Sequence, residues 1–359
     1  MKLSRWRNPL LLLLFSFFVI QVVAYKLYSS FWTTPPATQV NRNERIKRGW
    51  PEYTSGKRLD GTKHIIFIGT SQSFGDEIED DKKIYPSIIR QNFLDEGIQV
   101  TLENWSLGGI RTVDIEMMLL KAIQKKPDLI VLALDVSNFD RNSNRNLTFP
   151  NTDVNLFLAD PRIFSSMKNS LLNHPLDEDI RIRKIAERYL PLVRSRTKVH
   201  TQIAQEFDLT NEDQLFYFGN PVTRGVIPDI NVVKNYRDVL MFRHRNTPYF
   251  IIDEQEMGEK YFAAKRFTTL LKERLKGSDI KVMYTWIPLS YQHWDKGEFN
   301  KIKKFRKTMK TWNAKEGIAD YDFLEAISDS DFITVSHLKP NGHSKIAKLI
   351  YPAIKNELQ

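Results

Sequence analysis

Apolar residues fall into three regimes along this chain. From Pro9 to Ala24 they run on without a charge. From His64 to Leu134, and again from 254 to the C-terminus, short β-branched runs alternate with stretches of helical spacing. Between 139 and 250 that rhythm lapses. His64-Ile65-Ile66-Phe67-Ile68 is short, apolar and β-branched, and Gly69 and two small hydroxyl residues come directly after it. It predicts a buried strand closed by a tight turn. Residues 82–95 place Ile84, Ile88, Ile89 and Phe93 on one helical face. Residues 98–105 predict a second strand, 112–125 a second helix stopped at Pro127-Asp128, and Leu129–Leu134 a wholly apolar third strand. Strands of this kind, alternating with helices, belong to a parallel sheet covered on both faces.

After the lapse the pattern predicts a helix at 254–276, a strand at 279–287 and a basic helix at 295–315. A short segment near 319–325 and a final helix at 340–357 complete it. The expected fold is a three-layer α/β/α sandwich with a central parallel sheet and flavodoxin-like layering. A large, mostly helical insertion at about 139–250, with an amphipathic stretch at 178–207, interrupts it after the third strand as a cap or small subdomain.

The first regime bears on location. Lys2, Arg5 and Arg7 precede the 16-residue apolar run, and Tyr25, Tyr28, Phe31 and Trp32 lie beyond it as interface aromatics. This is a signal peptide or signal anchor, near the lower length limit for a spanning helix. Val22-x-Ala24 offers a cleavage site, but no small-residue, turn-rich region precedes it. The pattern favours an uncleaved transmembrane anchor over 1–32. Basic residues on the N-terminal side hold that end in the cytoplasm, so 33–359 lie outside, in the periplasm or at the cell surface. Cleavage instead implies a secreted protein. Residues 33–62, with Thr33-Thr34-Pro35-Pro36 and a polar, basic continuation, read as a stalk linker. The domain proper is then 63–359.

Composition narrows the classes. With 42% hydrophobic and 27% charged residues in 359, the chain is globular rather than disordered or fibrous. It has no cysteine, which excludes disulfides, thiolate metal sites and a cysteine nucleophile. The net charge is +10, but the basic residues spread over 42–48, 179–198, 234–245 and 301–310. No nucleic-acid-binding module is recognisable, so no nucleic-acid partner is expected. The charge suits a solvated surface, or attraction to an anionic membrane or polymer. The run Lys301–Lys310 reads as a solvated helix face.

In open parallel sheets ligands bind beyond the carboxyl ends of the strands, so the segments just past each strand hold the candidate chemistry. Gly69-Thr70-Ser71 puts a serine at a strand-to-helix turn, where a hydroxyl can act as nucleophile and a backbone N–H as oxyanion donor. Asn104-Trp105-Ser106-Leu107-Gly108-Gly109 brings paired glycines after the second strand, and Asp135-Val136-Ser137-Asn138 an amide after the third. Ser336-His337-Leu338-Lys339-Pro340-Asn341-Gly342-His343 places a histidine before the last helix. Each alone reads equally as a cap or a turn. In order after successive strands they form the parts list for acyl transfer. His337 and His343 lack the carboxylate pattern of a zinc site, so neither metal nor cofactor is expected.

On these residues the chain resembles the SGNH (GDSL-like) hydrolase superfamily over 64–138 and 279–357. Gly69-Thr70-Ser71 stands for that family's Gly-Asp-Ser. Asn104 to Gly109 matches its Asn-x-Gly/Ser-x-x-Gly block. Asn138 survives from a third block, Gly-x-Asn-Asp. Its Asp-x-x-His block appears as Thr334-Val335-Ser336-His337. The resemblance implies Ser71 as nucleophile, His337 as base, and an oxyanion hole from Ser71, Gly109 and Asn138. It further implies an esterase or O-acyltransferase whose substrate is an acyl ester of a polysaccharide or lipid. Small acyl groups of cell-envelope glycans lead, with a multi-spanning acyltransferase as the partner that the architecture suggests. Thr334 departs from the family's aspartate. Asp331, Asp329, Thr334 itself or a backbone carbonyl remain as the group that orients His337. The alternative function is a catalytically silent, membrane-tethered module that binds an anionic glycan or a partner protein.

Overall fold

Every strand of the sheet runs in the same direction. In the computed structural model β1 (Lys63–Gly69), β2 (Val100–Asn104), β3 (Leu129–Leu134), β4 (Lys281–Trp286) and β5 (Ala319–Asp322) pair in parallel in the order β2-β1-β3-β4-β5. The structure describes residues 58–75, 78, 80–108, 110, 112–139, 153–168, 178–190, 254–293 and 296–359, with 15–17, 19, 20 and 23 near the N-terminus. The chain steps outward from β1 to β2, then returns to place β3 on the other side of β1. That reversal makes the carboxyl ends of β1 and β3 the topological switch point, the usual crevice of such sheets.

Side-chain alternation distributes the two cores. Ile66 and Ile68 of β1, Ile130, Leu132 and Leu134 of β3, and Tyr284 and Trp286 of β4 point to one face. They pack there against α3 (Thr112–Gln124), α6 (Glu254–Leu275) and α7 (Lys296–Lys315). Ile65, Phe67, Leu102, Leu129, Val131 and Met283 point to the other, under α2 (Tyr85–Asp95) and α8 (Pro340–Leu358). Each fully buried side chain of this size contributes about 1.5–3 kcal/mol by leaving water, so the two apolar layers fix the sheet between its helices.

The described part of the insertion does not stand apart as a cap. A 3-10 segment at Asp153–Ala159 and helix α4 (Pro161–Met167) send Val154, Phe157, Leu158, Ile163, Phe164 and Met167 into the same core as α3. Helix α5 (Glu178–Tyr189) comes next. The expected continuation through 207 and the rest of 139–250 lie outside the described residues.

Element boundaries differ from the sequence pattern for local reasons. The helix expected from 82 begins at Tyr85, because the Asp80 side chain accepts from Lys82 N–H and closes a separate 3-10 turn. Pro86 then occupies the first turn of α2, where no N–H is needed. The strand expected from 98 begins at Val100. Gly97 turns left-handed at φ 75, and Ile98 N–H returns to Phe93 O at 2.8 Å, so these residues finish α2.

Of the expected anchor, only Phe15, Ser16, Phe17, Val19, Ile20 and Val23 are described; all are helical and exposed. Among the described residues no helix is long and apolar enough to cross a membrane. The end of the expected stalk is held by the sheet. Thr62 Oγ1 lies 2.7 Å from Thr101 Oγ1, and Arg58 pairs with Asp128 at 3.0 Å.

Candidate active site

The site starts at a glycine that admits no side chain. A Cβ on Gly69 would lie 2.1 Å from Ser73 Oγ and 3.0 Å from both Ala133 Cβ and Ser106 Oγ. Because Gly69 has none, the chain can leave β1 pressed against its neighbours. Thr70 is still extended, and Ser71 opens α1 (Ser71–Phe74), a single helical turn. Gly75 ends that turn at φ 78, with its N–H on Ser71 O at 2.8 Å. The sequence places the serine at the N-terminus of a helix, and that helix proves to be one turn long. One turn sums few peptide dipoles, so the local N–H groups, not a macrodipole, are what the turn offers an anion.

The opposite wall is the loop between β5 and α8. A 3-10 turn at Asp329–Asp331 leads into an isolated antiparallel bridge between Phe332 and Leu338. Within this closed loop Ile333 N–H donates to His337 O at 2.7 Å. The loop carries His337 to Ser71: Nε2 stands 2.9 Å from Oγ, across 266 positions of sequence. Both residues are half-buried. This is hydrogen-bond distance with the geometry of a nucleophile and its base.

The side chains considered for orienting His337 have other partners. Thr334 Oγ1 accepts from the backbone N–H of His337 at 3.1 Å. Asp331 accepts from Asn341 Nδ2 at 2.9 Å and from Lys345 Nζ at 2.6 Å. Asp329 accepts from Ser290 Oγ at 2.7 Å. All three fasten the loop. Nδ1 of His337 is buried.

Gly342-His343 has a separate task. A Cβ on Gly342 would come within 2.8 Å of Asp331 O, so its absence lets α8 dock against the histidine loop. His343 is buried and accepts from Tyr85 N–H through Nδ1 at 3.3 Å while stacking on the Tyr85 ring. Burial, and then the neighbouring charge of His337, hold its pKa down to about 3. It stays neutral and pins the start of α2.

The two asparagines brace the loops around the dyad. Asn104 donates to Ser73 O at 2.8 Å and accepts from Ser106 N–H at 3.0 Å, tying the β2 exit to the serine turn. Asn138 accepts from Asp135 N–H at 2.8 Å and gives one amide hydrogen to Ile110 O at 3.0 Å. Its amide has a second hydrogen. The residue is 2% exposed. Gly109 lies outside the described residues.

Two residues were not singled out from the sequence. Gln72, 1% exposed, donates through Nε2 to Ser336 O at 2.6 Å and to Pro288 O at 3.1 Å. Its only sequence signal is adjacency to Ser71. Arg306 corrects the solvated reading of 301–310. It is fully buried, and its guanidinium donates to Asp322 at 3.0 Å and to Ile287 O at 2.8 Å. Among the described residues no group of acidic or histidine side chains is arranged to hold a metal ion.

No family model and no curated protein matches the sequence. Solved structures do show likeness. A psychrotrophic esterase, EstA from Pseudoalteromonas sp., is 10% identical, over 82% of this chain and 98% of that one, with a TM-score of 0.41. A GDSL-like lipase from Bacteroides thetaiotaomicron is 10% identical, over 88% and 98%, with a TM-score of 0.40. TesA is 11% identical, over 82% and 99%, with a TM-score of 0.41. At these identities the roles of individual residues do not transfer.

Proposed function

We propose that this chain is a serine esterase or O-acyltransferase of the SGNH type. The contact between Ser71 Oγ and His337 Nε2 at 2.9 Å carries the reading. Ser71 attacks the carbonyl carbon of an acyl ester while His337 takes its proton. The proton then passes to the departing alcohol oxygen, and the acyl group stays on Ser71. Water as second substrate releases the acid, and a sugar hydroxyl yields a new ester. The Ser71 N–H, the second amide hydrogen of Asn138 and the N–H of Gly109 are the donors assigned to the oxyanion. No step requires a metal or cofactor.

The same proposal places the domain outside the cytoplasm, tethered by residues 1–32. The basic leader before the apolar run supports this. Small acyl groups on cell-envelope glycans are the proposed substrates, lipid esters the next choice, and a multi-spanning acyltransferase the proposed partner. The test uses the purified full-length chain with an activated acetyl ester and a fluorophosphonate probe. Turnover and labelling in the wild type, both lost in Ser71→Ala, are the expected result. Equal rates in the two proteins would overturn the assignment.

A second reading, a silent binding module on the same fold, draws on one observation. Thr334, at the position of the family's aspartate, brings no carboxylate and accepts from the backbone N–H of His337. An unlabelled Ser71 in the folded wild type would favour it.

A further inference from the structure

We propose that Gln72 is a positioning residue that sets the Ser71–His337 contact, by clamping the histidine loop to the serine turn. The proposal rests on reading these two residues as a catalytic dyad. Gln72 is the next residue after Ser71 in the one-turn helix α1, so the nucleophile and the clamp share one rigid piece of backbone. Its side chain is buried, whereas Ser71 is half-buried with its hydroxyl on His337. Nε2 carries two hydrogens. One goes to Ser336 O, on the residue that precedes His337, and the other to Pro288 O, in the exit of β4.

Those two loops are already joined, since Ser290 N–H donates to Val335 O at 2.9 Å. Gln72 closes the triangle. The serine turn, the β4 exit and the histidine loop then hold one another on all three sides. The amide assignment is fixed by its surroundings. A rotated side chain would aim Oε1 at two carbonyl oxygens, which have nothing to donate. Oε1 itself is buried with no hydrogen-bond partner among the described residues. An apolar residue fills this space but leaves both carbonyls unsatisfied, and a carboxylate repels them.

Anchoring matters because the base is carried by a loop. The side chains of Thr334, Asp331 and Asp329 fasten that loop, and Gln72 sets where it is held against the serine turn. Displacement of a catalytic group by about 1 Å can cost roughly a hundredfold in rate.

The experiment compares full-length wild type with Gln72→Met and Gln72→Glu, using the rate of fluorophosphonate labelling at Ser71 and amide hydrogen exchange at Ser336 and His337. Gln72→Met is expected to label roughly 10- to 100-fold more slowly. KM for a small acetyl ester should stay near wild type, and loop exchange should accelerate. Gln72→Glu is expected to fall further at alkaline pH. It should regain ground on wild type, compared at equal pH, as the medium is acidified and the carboxyl recovers one hydrogen. Bulk packing damage would not produce that pH-dependent ratio. Wild-type labelling by folded Gln72→Met, or unchanged loop exchange, would overturn the proposal. Should Gln72→Met not fold, the isosteric Gln72→Glu carries the same comparison. If wild type itself does not label, the functional reading fails separately. The exchange arm still decides the clamp: faster exchange upholds it and unchanged exchange overturns it.

Discussion

His64 and His337 make an instructive pair. His64 lies near the start of β1, wholly buried, with Nε2 2.7 Å from Glu103 Oε1. The same carboxylate accepts from Lys125 Nζ at 3.0 and 3.1 Å and from Trp105 Nε1 at 2.9 Å. His337 lies on a loop beyond the strands' carboxyl ends, half-buried, with a serine hydroxyl on Nε2. The first histidine has the acid that a triad would use, but no nucleophile. The second has the proposed nucleophile, and the acidic residues near it brace its loop. A carboxylate sealed inside a sheet is a strut. On the proposed reading, what prepares an imidazole for proton transfer is delivery to a hydroxyl beyond the strands' carboxyl ends, as the histidine loop delivers His337 to Ser71.

The comparison can be broken most severely at the serine end. His337→Ala is expected to lower fluorophosphonate labelling and ester turnover by about a thousandfold or more. Its thermal unfolding should stay close to wild type. A labelling rate within a few-fold of wild type would remove His337 as base. At the strut end the outcome should invert. Glu103→Leu leaves Lys125 and His64 without their shared acceptor, in a setting where an orphaned buried partner costs about 3–5 kcal/mol. Chemical denaturation should register that loss, while the protein that remains folded labels at the normal rate. Reduced labelling per folded molecule would mean that the two ends are coupled.

An effect that emerges only on acidification concerns His343. Its pKa in the fold is near 3, below the ordinary 6.5, first because of burial and then because of His337. The unfolded chain therefore binds the proton more readily. The stabilisation from keeping this ring neutral is complete above pH 6.5 and declines as pH falls toward about 3, by up to about 1.4 kcal/mol per unit. His343→Asn should flatten that part of the stability–pH curve, and an unchanged slope would assign it to other groups. The smallest effect sharpens the contrast by moving an acid to the serine end. Thr334→Asp restores the spacing Asp-x-x-His and is expected to raise labelling about threefold to tenfold. No gain would show that loop closure already fixes the ring.

The parallel sheet was legible because β-branched runs such as Ile65–Ile68 and Leu129–Leu134 need cover on both faces, and stretches of helical spacing stand between them. Ser71 and His337 were legible because parallel topology directs attention to the loops at the strands' carboxyl ends. The braces were not. Gln72 meets carbonyls 216 and 264 residues away, and backbone oxygens leave no mark in a sequence. Arg306 was hidden within a basic run, since its burial depends on Asp322 and Ile287 arriving from other elements. The tasks of Thr334, Asp331 and Asp329 depend on which neighbours α8 and the β4 exit bring to them. No spacing rule encodes that.

The fastening of the histidine loop to α8 also has a consequence in time. Asn341 and Lys345 anchor Asp331, and Gly342 admits the loop, so the base is seated by the last helix. Ser71 is made hundreds of residues earlier. On the proposed reading, a chain emerging from the ribosome or from an export channel thus carries a chemically idle hydroxyl until α8 has been made and has docked.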